Sequence, residues 1–255
     1  MLAVVFKQSL KESLRLNKLL PWFLLGGLTF FIALWSTSLG DKTEAVMRYG
    51  NLSYLFVFRL LVLSAAIVTS TIVSAEVEQK TIVYLLTRPI PRWVLYLGRY
   101  LACSSVVAAV SCCCAVATSL AIFGPNLQAN SLLGRDCIAL IVGAFAYCGL
   151  FGLITLMFNR AMIVCLLFGF GWEASVPNMP GSVYYLSIYS HLQTIAQHPK
   201  SDMSGIIALL SGSLGGNNLT LMVSIPALIG LILVTVGLSL WLFSSAEFVP
   251  REDVE

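Results

Sequence analysis

Cys103, Cys112, Cys113, Cys114, Cys137, Cys148 and Cys165 are the candidate nucleophiles and soft-metal ligands of this chain. Thiolates bind zinc and exchange with disulfides, but a site needs the right spacing. Successive helix residues point about 100° apart, so Cys112-Cys113-Cys114 cannot close around one ion. There is no CxxC pair. All seven lie inside or at the edge of apolar segments, where a thiol packs as a small apolar group. His191 and His198 have no third ligand at a convincing spacing and read as polar interface residues. The chain contains no GxxxxGK[ST], HExxH or GxSxG. It therefore holds no P-loop, zinc-protease helix or nucleophile elbow. Asn51-Leu-Ser53 and Asn218-Leu-Thr220 match a sequon that is common by chance and means little outside a secretory context.

The remaining chemistry is ionic. Glu76, Glu78, Lys80, Arg88 and Arg92 crowd one short stretch between two long apolar segments. Such a stretch must lie in water or against another protein. Ile82, Val83, Leu85 and Leu86 give it an apolar face, and Pro89 and Pro91 end any helix there. Arg59 and Glu173 are the two ionisable residues placed within or at the border of apolar segments. So few intramembrane charges argue against a relay of buried acids. Both lie near the outer ends of their segments, with Arg59 about 8 Å in from Tyr54. Two readings stand for them: an ion pair near an external gate, or independent snorkelling to the headgroups.

These groups are positioned by a membrane chain. Of 255 residues, 58% are hydrophobic and 11% charged, against about 25% charged in a soluble domain. A spanning helix needs about 20 apolar residues. Six segments qualify or nearly do, at 19–38, 54–75, 93–123, 134–158, 161–176 and 220–244. The expectation is an all-α polytopic membrane protein with six transmembrane helices. The third segment is long, and Trp93, Tyr96 and Tyr100 are expected at the membrane interface. The fifth is short, with Gly169 and Gly171, and stops near Pro177. The first apolar segment runs too long for a signal h-region and reads as an uncleaved span.

Cation counting sets the orientation. With the N-terminus inside, Lys7, Lys11, Arg15, Lys18, Lys80, Arg88, Arg92, Arg99, Arg160 and Arg251 lie inside. Only Lys42, Arg48, Arg135 and Lys200 lie outside. The inside excess predicts both termini cytoplasmic in a multi-pass plasma-membrane protein (inner membrane if Gram-negative). Residues 1–18 place Leu2, Phe6, Leu10 and Leu14 on one stripe and Lys7, Lys11 and Arg15 on its neighbour. This suits an interfacial amphipathic helix resting on membrane lipids, with a plain cytoplasmic extension as the alternative. Residues 19–255 form the transmembrane domain. Within it, 177–218 is an external segment too apolar for a simple solvated loop, as Ile206-Ile-Ala-Leu-Leu210 illustrates.

The 76–92 stretch resembles the cytoplasmic coupling segment of ABC-2 type transporter permeases. In that family an acidic pair closes the second span. A Thr, an apolar stretch, a basic-Pro turn, an Arg and a Gly-basic pair follow. Here they correspond to Glu76 and Glu78, Thr81-Ile82, Leu85-Leu86, Arg88-Pro89, Arg92, and Gly98-Arg99. Lys80 departs from the Gly that many members carry before the Thr. Residues 172–187 also resemble the region after the family's fifth span. The resemblance implies the permease subunit of an ATP-driven transporter, an exporter in direction. Its coupling residues would be Glu76, Glu78, Thr81, Leu85, Leu86, Arg88, Pro89 and Arg92. It further implies a separate ATPase subunit binding ATP and Mg, and a second permease subunit, identical or homologous. The chain itself would be no enzyme, would carry no cofactor and would bind no nucleic acid. Arg59 and Glu173 would lie at a gate or pathway. A secondary transporter or channel and a non-transporting membrane scaffold remain the alternatives.

Overall fold

A backbone without water around it must satisfy its amides internally, and helix does this within a single segment. The computed structural model describes residues 2–13, 16–38, 45–78, 92–125, 131–158, 160–178, 183–198 and 219–245. At 2–4, 12–13, 16–20, 23, 71–78, 92 and 178 it describes the backbone alone. The described residues hold helices and no strand. In order they are α1 (Leu2–Ser13), α2 (Leu16–Ser38), α3 (Ala45–Leu52), α4 (Phe58–Glu78) and α5 (Arg92–Phe123). Then come α6 (Leu133–Met157), α7 (Ala161–Leu167), α8 (Glu173–Ser175), α9 (Ile188–Ala196) and α10 (Leu221–Ser245). Two π-helical turns, Ser53–Val57 and Phe168–Trp172, join α3 to α4 and α7 to α8.

Among the described residues, four runs are long and apolar enough to cross a bilayer: Ala45–Ser70, Trp93–Phe123, Leu133–Met157 and Leu221–Ser245. Leu24–Ser38 and Ala161–Ser175 are shorter apolar helices. The chain is thus an α-helical, multi-pass membrane protein. Pro21 and Pro226 lie inside α2 and α10, as spanning helices tolerate. Buried hydroxyls return to their own helix. Ser111 donates to the Val107 carbonyl (2.9 Å), Thr118 to Ala115 (2.8 Å) and Ser239 to Thr235 (2.7 Å). Each of these three hydroxyls is satisfied within its own helix.

Side-chain contacts give the directions. The Tyr100 hydroxyl donates to the Phe145 carbonyl (3.0 Å), and the Cys112 thiol reaches the Cys137 carbonyl (3.9 Å). Rising numbers on α5 meet falling numbers on α6, so the two are antiparallel. Gly143 and Gly152 permit close approaches. A Cβ on Gly143 would sit 2.8 Å from a Leu61 methyl, and one on Gly152 would sit 2.5 Å from the Tyr96 hydroxyl. Because Ser53 meets Asp136 and Leu61 meets Gly143, α4 and α6 run the same way. Tyr49 and Phe123 pack edge to face (ring centroids 6.2 Å), so α3 and the end of α5 share one end of the bundle. Glu78 and Arg92, which bound the charged stretch, share the opposite end.

Three expectations change. The second apolar helix starts at Ala45 rather than Tyr54. Arg59 therefore lies about 21 Å along the continuous helix from Ala45, not about 8 Å from its start. Tyr96 and Tyr100 are 4% and 8% exposed. They belong to the core, because α6 covers the face that a lone helix would show to headgroups; Trp93 alone of the three is exposed. Finally, α1 is not simply laid on lipid. Val5 fits against Gly98 of α5, where a Cβ would come within 2.9 Å of it, while Lys7 and Lys11 stay exposed.

Candidate functional site

Mid-bundle, the two sequence-predicted charges meet one short helix. Glu173 is fully buried. Its carboxylate accepts hydrogen bonds from the Ser187 hydroxyl (2.7 Å) and the backbone N–H groups of Ile188 (3.1 Å) and Tyr189 (3.0 Å). These are the first amides of α9. Ser187, the N-cap residue, also accepts from the Ser190 N–H (3.3 Å). Glu173 and Ser187 together satisfy three of the four N–H groups that a helix start leaves without partners. The carboxylate also faces the positive end of the helix dipole. The Arg59 guanidinium carbon lies 4.7 Å from the Tyr189 ring centroid, a cation–π contact. Arg59 is close enough for its charge to act on Glu173, and the buried Tyr147 lies beside both. Glu173 is thus held in the interior by partners from α9 that a hydropathy reading cannot see, while Arg59 is half-buried over Tyr189.

Backbone geometry marks the same place. Each π-helical turn ends immediately before this cluster. The Phe58 N–H bonds the Ser53 carbonyl just ahead of Arg59, and the Glu173 N–H bonds the Phe168 carbonyl. A π-turn adds one residue to its helix and re-aims the side chains that follow. Here the two turns precede the half-buried Arg59 and the fully buried Glu173.

The other end of α9 is held by a pair that the sequence reading missed. His198 Nε2 donates to Asp136 Oδ1 (2.6 Å), with both side chains wholly buried. Ser53 donates to the second carboxylate oxygen (2.9 Å). Arg135 Nη1 donates to Gln197 Oε1 (2.9 Å). The Tyr54 hydroxyl donates to the Gln193 carbonyl (3.2 Å), and its ring tilts against the His198 ring (4.3 Å between centroids). Gln197 terminates α9 in the left-handed region (φ 50°), which turns the chain so that His198 points back into the bundle. The missed signal was Asp136, an acid inside the fourth apolar segment, and such an acid is a site candidate by default. His191 has a different task. Its Nε2–H donates to the Tyr185 carbonyl (2.9 Å), and burial pushes its pKa down, favouring the neutral ring. Among the described residues no cluster of three or more His, Cys, Asp or Glu is placed to hold a metal ion.

Helix α9 therefore runs within the bundle, from Glu173 and Arg59 at its start toward the bundle end away from Glu78 and Arg92 at its finish. It is tied at its start to the α7–α8 arm and at its finish to α3, α4 and α6. At the opposite end, Glu76 and Glu78 occupy the last turn of α4 and Arg92 begins α5. Their side chains, and Thr81, Leu85, Leu86, Arg88 and Pro89, lie outside the described residues, as does the apolar stretch 206–210.

Two comparisons bear on the assembly. A family model described as ABC-2 family transporter protein matches residues 12–171. No curated protein matches the chain.

Proposed function

Because this chain belongs to the ABC-2 family of transporter membrane proteins, we propose that it is the permease subunit of an ATP-driven exporter, crossing the membrane six times with both termini cytoplasmic. Family members generally partner with an ATPase subunit. In this reading the 76–92 stretch docks into that subunit, which binds ATP and Mg, while this chain makes and breaks no bond. Two permease subunits pack about a twofold axis. ATP-driven closure of the ATPases moves the ends of α4 and α5 and re-packs the spans. The observation that supports the reading is that α4 ends at Glu78 and α5 begins at Arg92 at one end of the bundle, where α1 also packs, while α9 finishes toward the other. Arg59 and Glu173 then sit beneath an external gate formed by α9.

The orientation has a direct test. In a background with the seven native cysteines replaced, Lys42→Cys and Lys200→Cys should react with an impermeant maleimide applied from outside, and Lys80→Cys should not. Outside labelling at position 80 would invert the topology and remove the docking role with it.

Coupling is tested separately. Arg88→Glu, or Glu76→Ala with Glu78→Ala, should weaken co-purification of the ATPase and lower its transport-linked hydrolysis, while insertion stays normal. Charge-assisted contacts are worth about 1.5–3 kcal/mol each, or roughly ten- to a hundredfold in docking. Unchanged association and transport in Arg88→Glu would leave the stretch as a surface loop. Flux driven by an ion gradient without any ATPase would favour the secondary-transporter reading.

A further inference from the structure

The α5–α6 seam brings together two cysteines that are 25 positions apart in sequence and on different helices. The Cys112 thiol reaches the Cys137 carbonyl at 3.9 Å. Its side chain is also within hydrogen-bonding reach of the Cys137 thiol. Both cysteines are free and half-buried, in contrast to Cys103, Cys114, Cys148 and Cys165, which are buried. Cys137 lies four residues into α6, about 6 Å from the helix start, at the same bundle end as the finish of α9. The Cys112–Cys113–Cys114 run looks like one feature in the sequence, yet its members separate. Cys112 faces α6, Cys113 is exposed and Cys114 packs against α2, where a Cβ on Gly26 would sit 3.2 Å from its sulfur.

We propose that Cys112 and Cys137 are a reversible disulfide site that staples α5 to α6 near the bundle end where α9 finishes. The reaction is exchange with an external disulfide, R–S–S–R, from a small molecule or an oxidoreductase. One thiolate attacks a sulfur of R–S–S–R, forming a mixed disulfide and expelling RS⁻. The second thiolate then attacks the bonded cysteine sulfur and expels the other RS⁻. Two cysteine thiols are oxidised, one external disulfide is reduced to two RSH, and the two cysteine protons end on the leaving thiols. The surroundings favour this product over a metal complex. A two-coordinate soft cation would need both thiolates and would leave a net negative charge at an apolar boundary beside the Asp136 carboxylate. A disulfide is neutral, so its formation buries no charge. The site does not depend on the transport reading.

The test uses the full-length protein in lipid nanodiscs. It is treated with a membrane-permeant disulfide, dithiodipyridine, then alkylated with a maleimide and mapped by mass spectrometry with and without reductant. The expected result is a reductant-sensitive Cys112–Cys137 peptide pair in which neither cysteine carries the pyridyl group. The pair should vanish in Cys112→Ser and in Cys137→Ser. A variant retaining only these two cysteines should still form it, which covers the case in which a single Ser variant fails to insert. Cys112 and Cys137 each carrying only the reagent, or a crosslink made through Cys113, would overturn the proposal.

Discussion

Glu173→Ala is expected to release the start of α9 and to stop transport. The carboxylate is the acceptor for two helix-start amides and one hydroxyl, all in a buried place. Removing it leaves those donors without partners where water does not replace it, at about 1–3 kcal/mol per donor. The donors share one anchor, so the losses do not simply add; a total of about 3–5 kcal/mol is expected, the range seen when one side of a buried charged contact is deleted. Glu173→Gln keeps the shape and one carbonyl oxygen and should fall between wild type and Ala. Hydrogen exchange of the Ile188 and Tyr189 amides is the direct reading. Ala should speed it at least tenfold while α6 amides stay protected. Unchanged exchange at both amides, together with wild-type thermal stability, would show that α9 is held by its apolar contacts and not by Glu173.

Asp136→Ala should loosen the finish of α9 by a similar amount and through a separate group. Without the carboxylate, the His198 ring and the Ser53 hydroxyl lose their buried acceptor. Breaking a buried pair from one side costs about 3–5 kcal/mol, whereas replacing both partners with apolar residues is often nearly neutral. The informative comparison is therefore Asp136→Ala against Asp136→Leu with His198→Leu. The double variant should recover most of the thermal stability lost in the single one. If release of α9 is the transport step, it should also leave transport faulty, because α9 is then held by packing that no longer opens. Double-variant stability no better than the single, with His198→Leu harmless alone, would show that the pair contributes nothing as a pair.

The two anchors differ in how far the sequence foretold them. Arg59 and Glu173 stood out because a charge in an apolar run is rare and costly. Their types alone nominated them. Their partners were not legible, because Ser187, Ile188 and Tyr189 belong to an external segment whose apolar character fits helices resting on the outer leaflet or dipping into it, with no sign of what they touch. Asp136 carried the same signal and was passed over beside Arg135, its neighbour at a segment boundary. His198 had no signal: it reaches Asp136 only because Gln197 takes a left-handed turn.

By itself the sequence determined the solvent. Fifty-eight per cent hydrophobic residues with 11% charge leave no soluble core to build, and a backbone in lipid must then be helical. It also determined where the apolar runs break, hence the position of the charged 76–92 stretch, and through that stretch the family resemblance. Hydropathy is a sum over neighbours along the chain, so these properties survive without knowledge of contacts. The tertiary structure decided which residues meet. It moved the start of the second apolar helix to Ala45, well ahead of Arg59. It drew Tyr96 and Tyr100 into the core, split the three-cysteine run among three surroundings, and fastened α9 at both ends. Each of these depends on residues brought together by helix direction and close glycine contacts. A one-dimensional pattern does not encode such geometry, because a helix presents the same periodicity whichever neighbour covers it.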